Sequence, residues 1–201
     1  MITIIDYKLN NLSSLCNSLN DLNIEYTVAS SPAEVGTISK FILPGVGAFP
    51  SGMKALKDSG WDQFLIKNLD ENSKLLGICL GMQLLFEKSN EIEETSGLGI
   101  IKGRVCALHE KTKMNTPHIG WNSLNLNRFH PILKNINSNL DVYFLHSYYC
   151  VPLEASMIFA TTDYGIEFPS IVIKNNIVGV QFHPEKSQRI GSVILKNFSE
   201  W

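Results

Sequence analysis

The residues best placed to do chemistry lie where Leu75-Leu76-Gly77-Ile78-Cys79-Leu80-Gly81 runs into Met82-Gln83-Leu84-Leu85. An apolar run, a cysteine with glycines at i−2 and i+2, and a second apolar run at helical spacing predict a nucleophile elbow. In that arrangement a buried strand ends, one residue occupies a strained turn and a helix begins. Cys79 then stands at the carboxyl end of a strand, above the positive end of a helix dipole that favours the negative charge of a sulfur nucleophile. A lone cysteine in apolar surroundings is more often structural. The glycine pair at the strand-to-helix junction tips the reading toward catalysis.

A cysteine nucleophile requires a base, a group to orient that base, and donors for the oxyanion. Five histidines are available (His109, His118, His130, His146 and His183), and His183 is set apart by its context, Gln181-Phe182-His183-Pro184-Glu185. Pro184 disfavours helical backbone at His183. In extended chain positions i and i+2 face the same way, so Glu185 can meet the imidazole and fix its tautomer. The plainer alternative for these residues is a strand-end turn with a surface ion pair. Gln83 lies a helical turn beyond Cys79, so the oxyanion donors are expected from backbone. One is the Leu80 N–H. The other is expected from Gly45, Val46 and Gly47 within Leu43-Pro44-Gly45-Val46-Gly47-Ala48, a loop predicted to emerge on the same sheet edge as Cys79. A phosphate cradle would compete for that loop, but neither GxGxxG nor GxxxxGK[ST] is present.

The elements that must position these groups are also legible. Short apolar runs at 2–5, 24–29, 41–43 and 75–78 read as strands covered on both faces. Between them, Leu12, Leu15, Cys16, Leu19 and Leu22 repeat at helical steps behind Asn10 or Asn11 as cap, and Met53, Leu56, Phe64, Leu65 and Leu69 continue the pattern. Alternating strands and helices imply a parallel sheet flanked by helices. The second half changes to strands and turns, with 142–149 and 157–162 read as single strands. Residues 171–174 and 177–182 form a hairpin about Asn175-Asn176. Ile190, Val193, Ile194, Phe198 and Trp201 form a last helical stripe, and the acidic stretch 89–96 reads as a surface loop. The expected architecture is a single three-layer α/β domain over 1–201, with a mostly parallel central sheet plus antiparallel strands.

Bulk composition excludes several classes. The formal net charge is −2 in 201 residues, which gives no basic surface for nucleic acid or membrane. No apolar run reaches the roughly 18 residues needed to span a bilayer. Cys16, Cys79, Cys106 and Cys150 lack metal-ligand spacing and suggest free thiols in a reducing, cytoplasmic compartment.

Taken together, Pro-Gly-Val-Gly-Ala-Phe at 44–49, Gly-Ile-Cys-Leu-Gly-Met-Gln-Leu-Leu-Phe at 77–86 and Gln-Phe-His-Pro-Glu-Lys at 181–186 resemble the class I glutamine amidotransferases, whose architecture is flavodoxin-like. Pro-His-Ile-Gly-Trp-Asn at 117–122 and Tyr-Phe-Leu-His-Ser-Tyr-Tyr at 143–149 resemble the branch that serves as glutaminase subunits of imidazole glycerol phosphate synthases. That resemblance implies a Cys79–His183–Glu185 triad acting on L-glutamine through a glutamyl thioester, with no cofactor and no metal. It implies glutamine contacts at Gly45, Val46, Gly47, Leu80, Gln83, Ser147 and Tyr148. It also implies a heterodimer with a (β/α)8-barrel cyclase that receives ammonia and makes imidazole glycerol phosphate and AICAR in histidine biosynthesis. Asn11, Pro117, His118, Trp121, Tyr143 and Lys186 match family positions on the docking face. One segment departs from the pattern. The family usually reads Asp-Tyr-Gly-x-Gly-Asn after its first strand, and this chain has Asp6-Tyr7-Lys8-Leu9-Asn10-Asn11. Asn10 tolerates a positive φ, whereas Lys8 would be strained there. The departure keeps open a paralogous glutaminase that supplies ammonia for amidation of a cell-surface sugar.

Overall fold

The structure, a computed structural model, describes residues 1–36 and 40–201. Its first half alternates β1 (Ile2–Ile5), α1 (Leu12–Asp21), β2 (Tyr26–Ala29), β3 (Lys40–Leu43), α2 (Phe49–Asp58), α3 (Trp61–Asn68), β4 (Lys74–Ile78) and α4 (Leu80–Leu84). The second half is mainly strands: β5 (Phe86–Ser89), β6 (Thr95–Ser96), β7 (Ile101–Ala107), β8 (His118–Leu126), β9 (Leu140–His146), β10 (Tyr148–Pro152), β11 (Ile158–Asp163), β12 (Glu167–Lys174) and β13 (Ile177–Val180). Helix α5 (Gln188–Glu200) follows them.

Two sheets result. The larger runs β2-β1-β3-β4-β13-β12-β11-β8-β9 and the smaller β10-β7-β5-β6. The large sheet is parallel from β2 to β13 and antiparallel from β13 to β9. The expected parallel-then-antiparallel character is therefore present.

The unalternating apolar runs are explained by burial on both faces. Ile4, Ile42, Leu76 and Ile78 pack with Leu15 and Leu19 of α1 and Ile194 and Phe198 of α5. Their neighbours Ile5, Phe41, Leu43 and Leu75 point the other way, onto Met53, Leu56, Trp61 and Leu65 of α2 and α3 and onto Phe86 and Ile101 of the small sheet. Each such side chain, fully buried, stabilises the fold by about 1.5–3 kcal/mol.

Four local expectations are refined or corrected. The apolar stretch 142–149 is two strands broken at Ser147, with β9 at the edge of the large sheet and β10 in the small one. The chain must leave one sheet for the other there, and period-2 alternation cannot reveal such a crossing. The helix after Cys79 stops at Leu84, and Phe86–Ser89 is a strand paired with β7. The acidic stretch ends in a short strand, and its part-buried Glu91 lines a cavity. Asn11 takes the α1 cap position, but its side chain bonds Ser14 Oγ (3.1 Å) rather than a backbone N–H.

Candidate active site

Cys79 follows β4 with φ 53° and ψ −110°, a backbone conformation that L-residues avoid. The surroundings hold it there. Its N–H donates to Val180 O (2.8 Å), and α4 starts at the next residue. A Cβ at Gly81 would drive into the Leu43 carbonyl, and one at Gly77 would lie 2.9 Å from the Met82 backbone. The elbow closes only because both positions lack a side chain.

β13 runs beside β4 in parallel register, with Gly179 opposite Gly77 and Val180 opposite Ile78, and leads directly to Gln181-Phe182-His183. The expected facing of His183 and Glu185 is realised: Nδ1 of the imidazole donates to Glu185 Oε1 at 2.8 Å, with both side chains about 95% buried or more. The tautomer or proton count that this bond requires leaves Nε2 for the cysteine side, and Nε2 has no hydrogen-bond partner. Burial by itself would lower the His183 pKa. Cys79 and the Glu185 carboxylate outweigh it, and the imidazole is held protonated up to about 10.

The groups facing Cys79 form a cavity of about 300 Å3. Val46, Gly47, Leu80, Gln83 and Leu145 to Tyr148 line it. Every residue expected to contact substrate, save Gly45, lines it. Gly45 lies just behind, packed so tightly that a Cβ would meet the Gly81 nitrogen and Leu80. The Cys79 thiol points to Leu145 O (3.7 Å), and the Gln181 amide donates to the sulfur (3.8 Å). Gln83 donates to Tyr148 O (3.0 Å) and to Gln181 Oε1 (3.2 Å), which fixes both amide orientations. The Val46 N–H does not face the cavity freely, since it donates to Leu9 O at 3.0 Å.

Two residues were missed by sequence reasoning. Glu91 lines the cavity, and its carboxylate accepts the Phe49 N–H (2.7 Å) at the start of α2; burial raises its pKa despite that bond. The surplus of acid in 89–96 was the available signal. His146 is the second. It lines the cavity and donates from Nδ1 to Tyr148 O (2.9 Å), which accepts only, so its Nε2 carries the lone pair that meets His118 Nδ1 at 3.0 Å. Burial holds both imidazoles neutral, lowering His118 to about 4 and His146 to about 3.

The expected docking residues separate into two groups. Trp121 and Tyr143 pair across β8 and β9 with their rings 6.0 Å apart, Ile119 opposes Leu145, and the Lys186 Nζ lies 5.7 Å from the Tyr143 ring. Ile119 and Trp121 are 57% and 47% exposed, and Asn11 borders a gap beside Gly45 and Glu185. His118 is corrected: strand alternation turns it inward and it is buried. Pro117 lines the cavity.

A family model described as glutamine amidotransferase class-I matches residues 3–200. The chain belongs to the class I glutamine amidotransferases. Among this family, an imidazole glycerol phosphate synthase subunit HisH of Caldanaerobacter subterraneus subsp. tengcongensis is 45% identical, over all of this chain and 98% of that one. The subunit of the same name from a Geobacillus species is 42% identical over 99% and 96%. A solved glutamine amidotransferase superposes with a TM-score of 0.77 at 17% identity, covering 100% and 98% of the chains. PurLQS from Thermotoga maritima gives 0.76 at 16% identity, covering 99% and 97%. Both match the fold of this class I amidotransferase. Among its described residues no group of three or more His, Cys, Asp or Glu could hold a metal, and no helix is long and apolar enough to cross a membrane.

Proposed function

We propose that this chain is the glutaminase subunit of an imidazole glycerol phosphate synthase, hydrolysing L-glutamine at Cys79 and passing ammonia to a (β/α)8-barrel cyclase that makes imidazole glycerol phosphate and AICAR. The observation that carries the chemistry is Cys79 on a strained elbow, sharing its cavity with a His183 whose Nδ1 is bonded to Glu185.

In this reading Cys79 Sγ, its proton lodged on His183, attacks the carboxamide carbon as a thiolate, and the oxyanion accepts from the Leu80 N–H at the unpaired start of α4. The C–N bond breaks as the amide nitrogen takes the His183 proton and leaves as ammonia. Water then attacks the thioester and gives its proton to His183, the C–S bond breaks, and glutamate departs. Glu91 and Tyr148 are suited to the amino-acid end, Glu91 offering a carboxylate to the α-ammonium group. The Gln83 Oε1, left free by the two bonds its amide makes, accepts from substrate N–H groups.

The Val46 N–H, in the loop expected to supply the second oxyanion donor, is occupied by Leu9 O. It is released only if that contact opens, and Leu9 sits in the Lys8–Asn11 loop beside the docking side. Partner-dependent activity follows from this arrangement. The exposed aromatic and aliphatic pairs of β8 and β9 suit a protein partner. Ammonia set free in neutral water would mostly protonate, so a partner that receives it directly preserves its nucleophilicity. The curated relatives named above support the histidine-pathway acceptor over a sugar.

Glutaminase assays of the chain alone, then with the barrel subunit and its nucleotide ligand, test the reading. Weak activity alone, strong stimulation in the complex and none in Cys79→Ala are expected. Activity surviving Cys79→Ala would overturn the mechanism, and high activity without the barrel would overturn partner control.

A further inference from the structure

The histidine pair His118–His146 lies outside the triad, yet it is the start of a hydrogen-bond network that ends on the nucleophile. Asn122 Nδ2 reaches His118 Nε2 (3.4 Å), and His118 Nδ1 donates to His146 Nε2 (3.0 Å). His146 Nδ1 donates to Tyr148 O (2.9 Å), which also receives the Gln83 amide. Gln83 donates onward to Gln181 Oε1, and Gln181 donates to Cys79 Sγ. Tyr148 O accepts only, so every donor direction from Asn122 to that carbonyl follows from one assignment, with both rings neutral. The network is rigidly supported: His118 is stacked between Phe144 (centroids 4.8 Å) and Tyr164 (3.9 Å). It also lies on the inner face of the two strands whose outer face carries Ile119, Trp121, Tyr143 and Leu145.

We propose that His118 and His146 are positioning residues for glutamine hydrolysis, orienting the Tyr148 carbonyl, and through it the Gln83 and Gln181 amides, toward substrate and the Cys79 sulfur. The inference rests on the glutaminase reading above. A merely space-filling pair would need no defined tautomers. Here the Tyr148 carbonyl fixes the His146 proton on Nδ1, and that leaves Nε2 able only to accept from His118. Without the His118 donor, the His146 Nε2 lone pair is buried and unpaired, and the ring is free to turn away from Tyr148.

His118→Phe keeps the stacking between Phe144 and Tyr164 but removes the donor; His118→Asn keeps a donor at the Nδ1 position. With the barrel partner present, His118→Phe is expected to raise the glutamine KM about tenfold with a smaller change in kcat, the size of one lost buried hydrogen bond. It should also slow iodoacetamide alkylation of Cys79 several-fold, and His118→Asn should recover most of both effects. In the wild-type chain, nitrogen-15 NMR should find His146 protonated on Nδ1 and His118 on Nδ1. The proposal is overturned if His118→Phe leaves KM and alkylation unchanged, or if His118→Asn fails to rescue them. It is equally overturned if either imidazole carries its proton on Nε2, a measurement that stands even if His118→Phe does not fold. Loss of wild-type turnover itself would instead indict the glutaminase reading, leaving the tautomers to be read independently.

Discussion

At the scale of single residues, three imidazoles are driven in opposite directions by what surrounds them. His183 gains a proton because a carboxylate and a sulfur flank it, whereas His118 and His146 are kept neutral by burial. The consequences for stability have opposite signs. The His183 pKa of about 10 lies above its ordinary 6.5, so its contribution is full below pH 6.5 and drains away as pH climbs toward 10. The values of about 4 and about 3 at His118 and His146 lie below 6.5. Their contribution is full above pH 6.5 and is lost as pH falls toward 3. Urea midpoints measured across pH should therefore decline on both flanks, with His118→Asn flattening the acid one. Glu185→Gln isolates the other limb: it keeps an acceptor for Nδ1 but removes the charge, and kcat should drop by about 10²–10⁴-fold with little change in KM.

At the scale of elements, the elbow depends on what is missing as much as on what is present. Gly81→Ala would press a methyl group into the Leu43 carbonyl, so α4 must shift away from β3. A loss of about 1–3 kcal/mol is expected in denaturant unfolding, with glutaminase activity reduced more than stability. This junction was legible in sequence because glycine spacing and apolar periodicity both report on it. The HPE turn was legible for the same reason, since Pro184 constrains a backbone whose alternation brings Glu185 to His183. The break at Ser147 was not legible. Apolar alternation continues through it, and only the separate pairings of β9 with β8 and β10 with β7 show that the chain changes sheets. Glu91 was hidden among exposed acids, and nothing local marks which one lines the cavity. The departure at 8–10 resolves physically: Lys8 does adopt φ 71°, held because its N–H and its ammonium both bond the Asp6 carboxylate. Asn10 takes no positive φ; its amide instead reaches the same Asp6 carboxylate (3.2 Å).

At the scale of the whole molecule, the outer face of β8 and β9 and the cavity behind them are two sides of one layer. In the proposed complex, Trp121→Ala should weaken association with the barrel by about 2 kcal/mol, roughly thirtyfold in Kd, in a calorimetric titration. The backbone of β9 would carry such docking inside: Tyr143 O accepts the His183 N–H (2.9 Å), and Leu145 O takes the Cys79 thiol. One further feature sets the precision of the whole site. Cys79 is the next residue after β4 and His183 stands three beyond β13, and these strands are neighbours in a single parallel ladder. The gap between Cys79 and His183, the proposed nucleophile and base, is thus a machining tolerance inherited from strand register. A slip of one residue would carry His183 along by about 3.3 Å and turn it to the opposite face, so a molecule that folds with this ladder in register has already gauged its own active site.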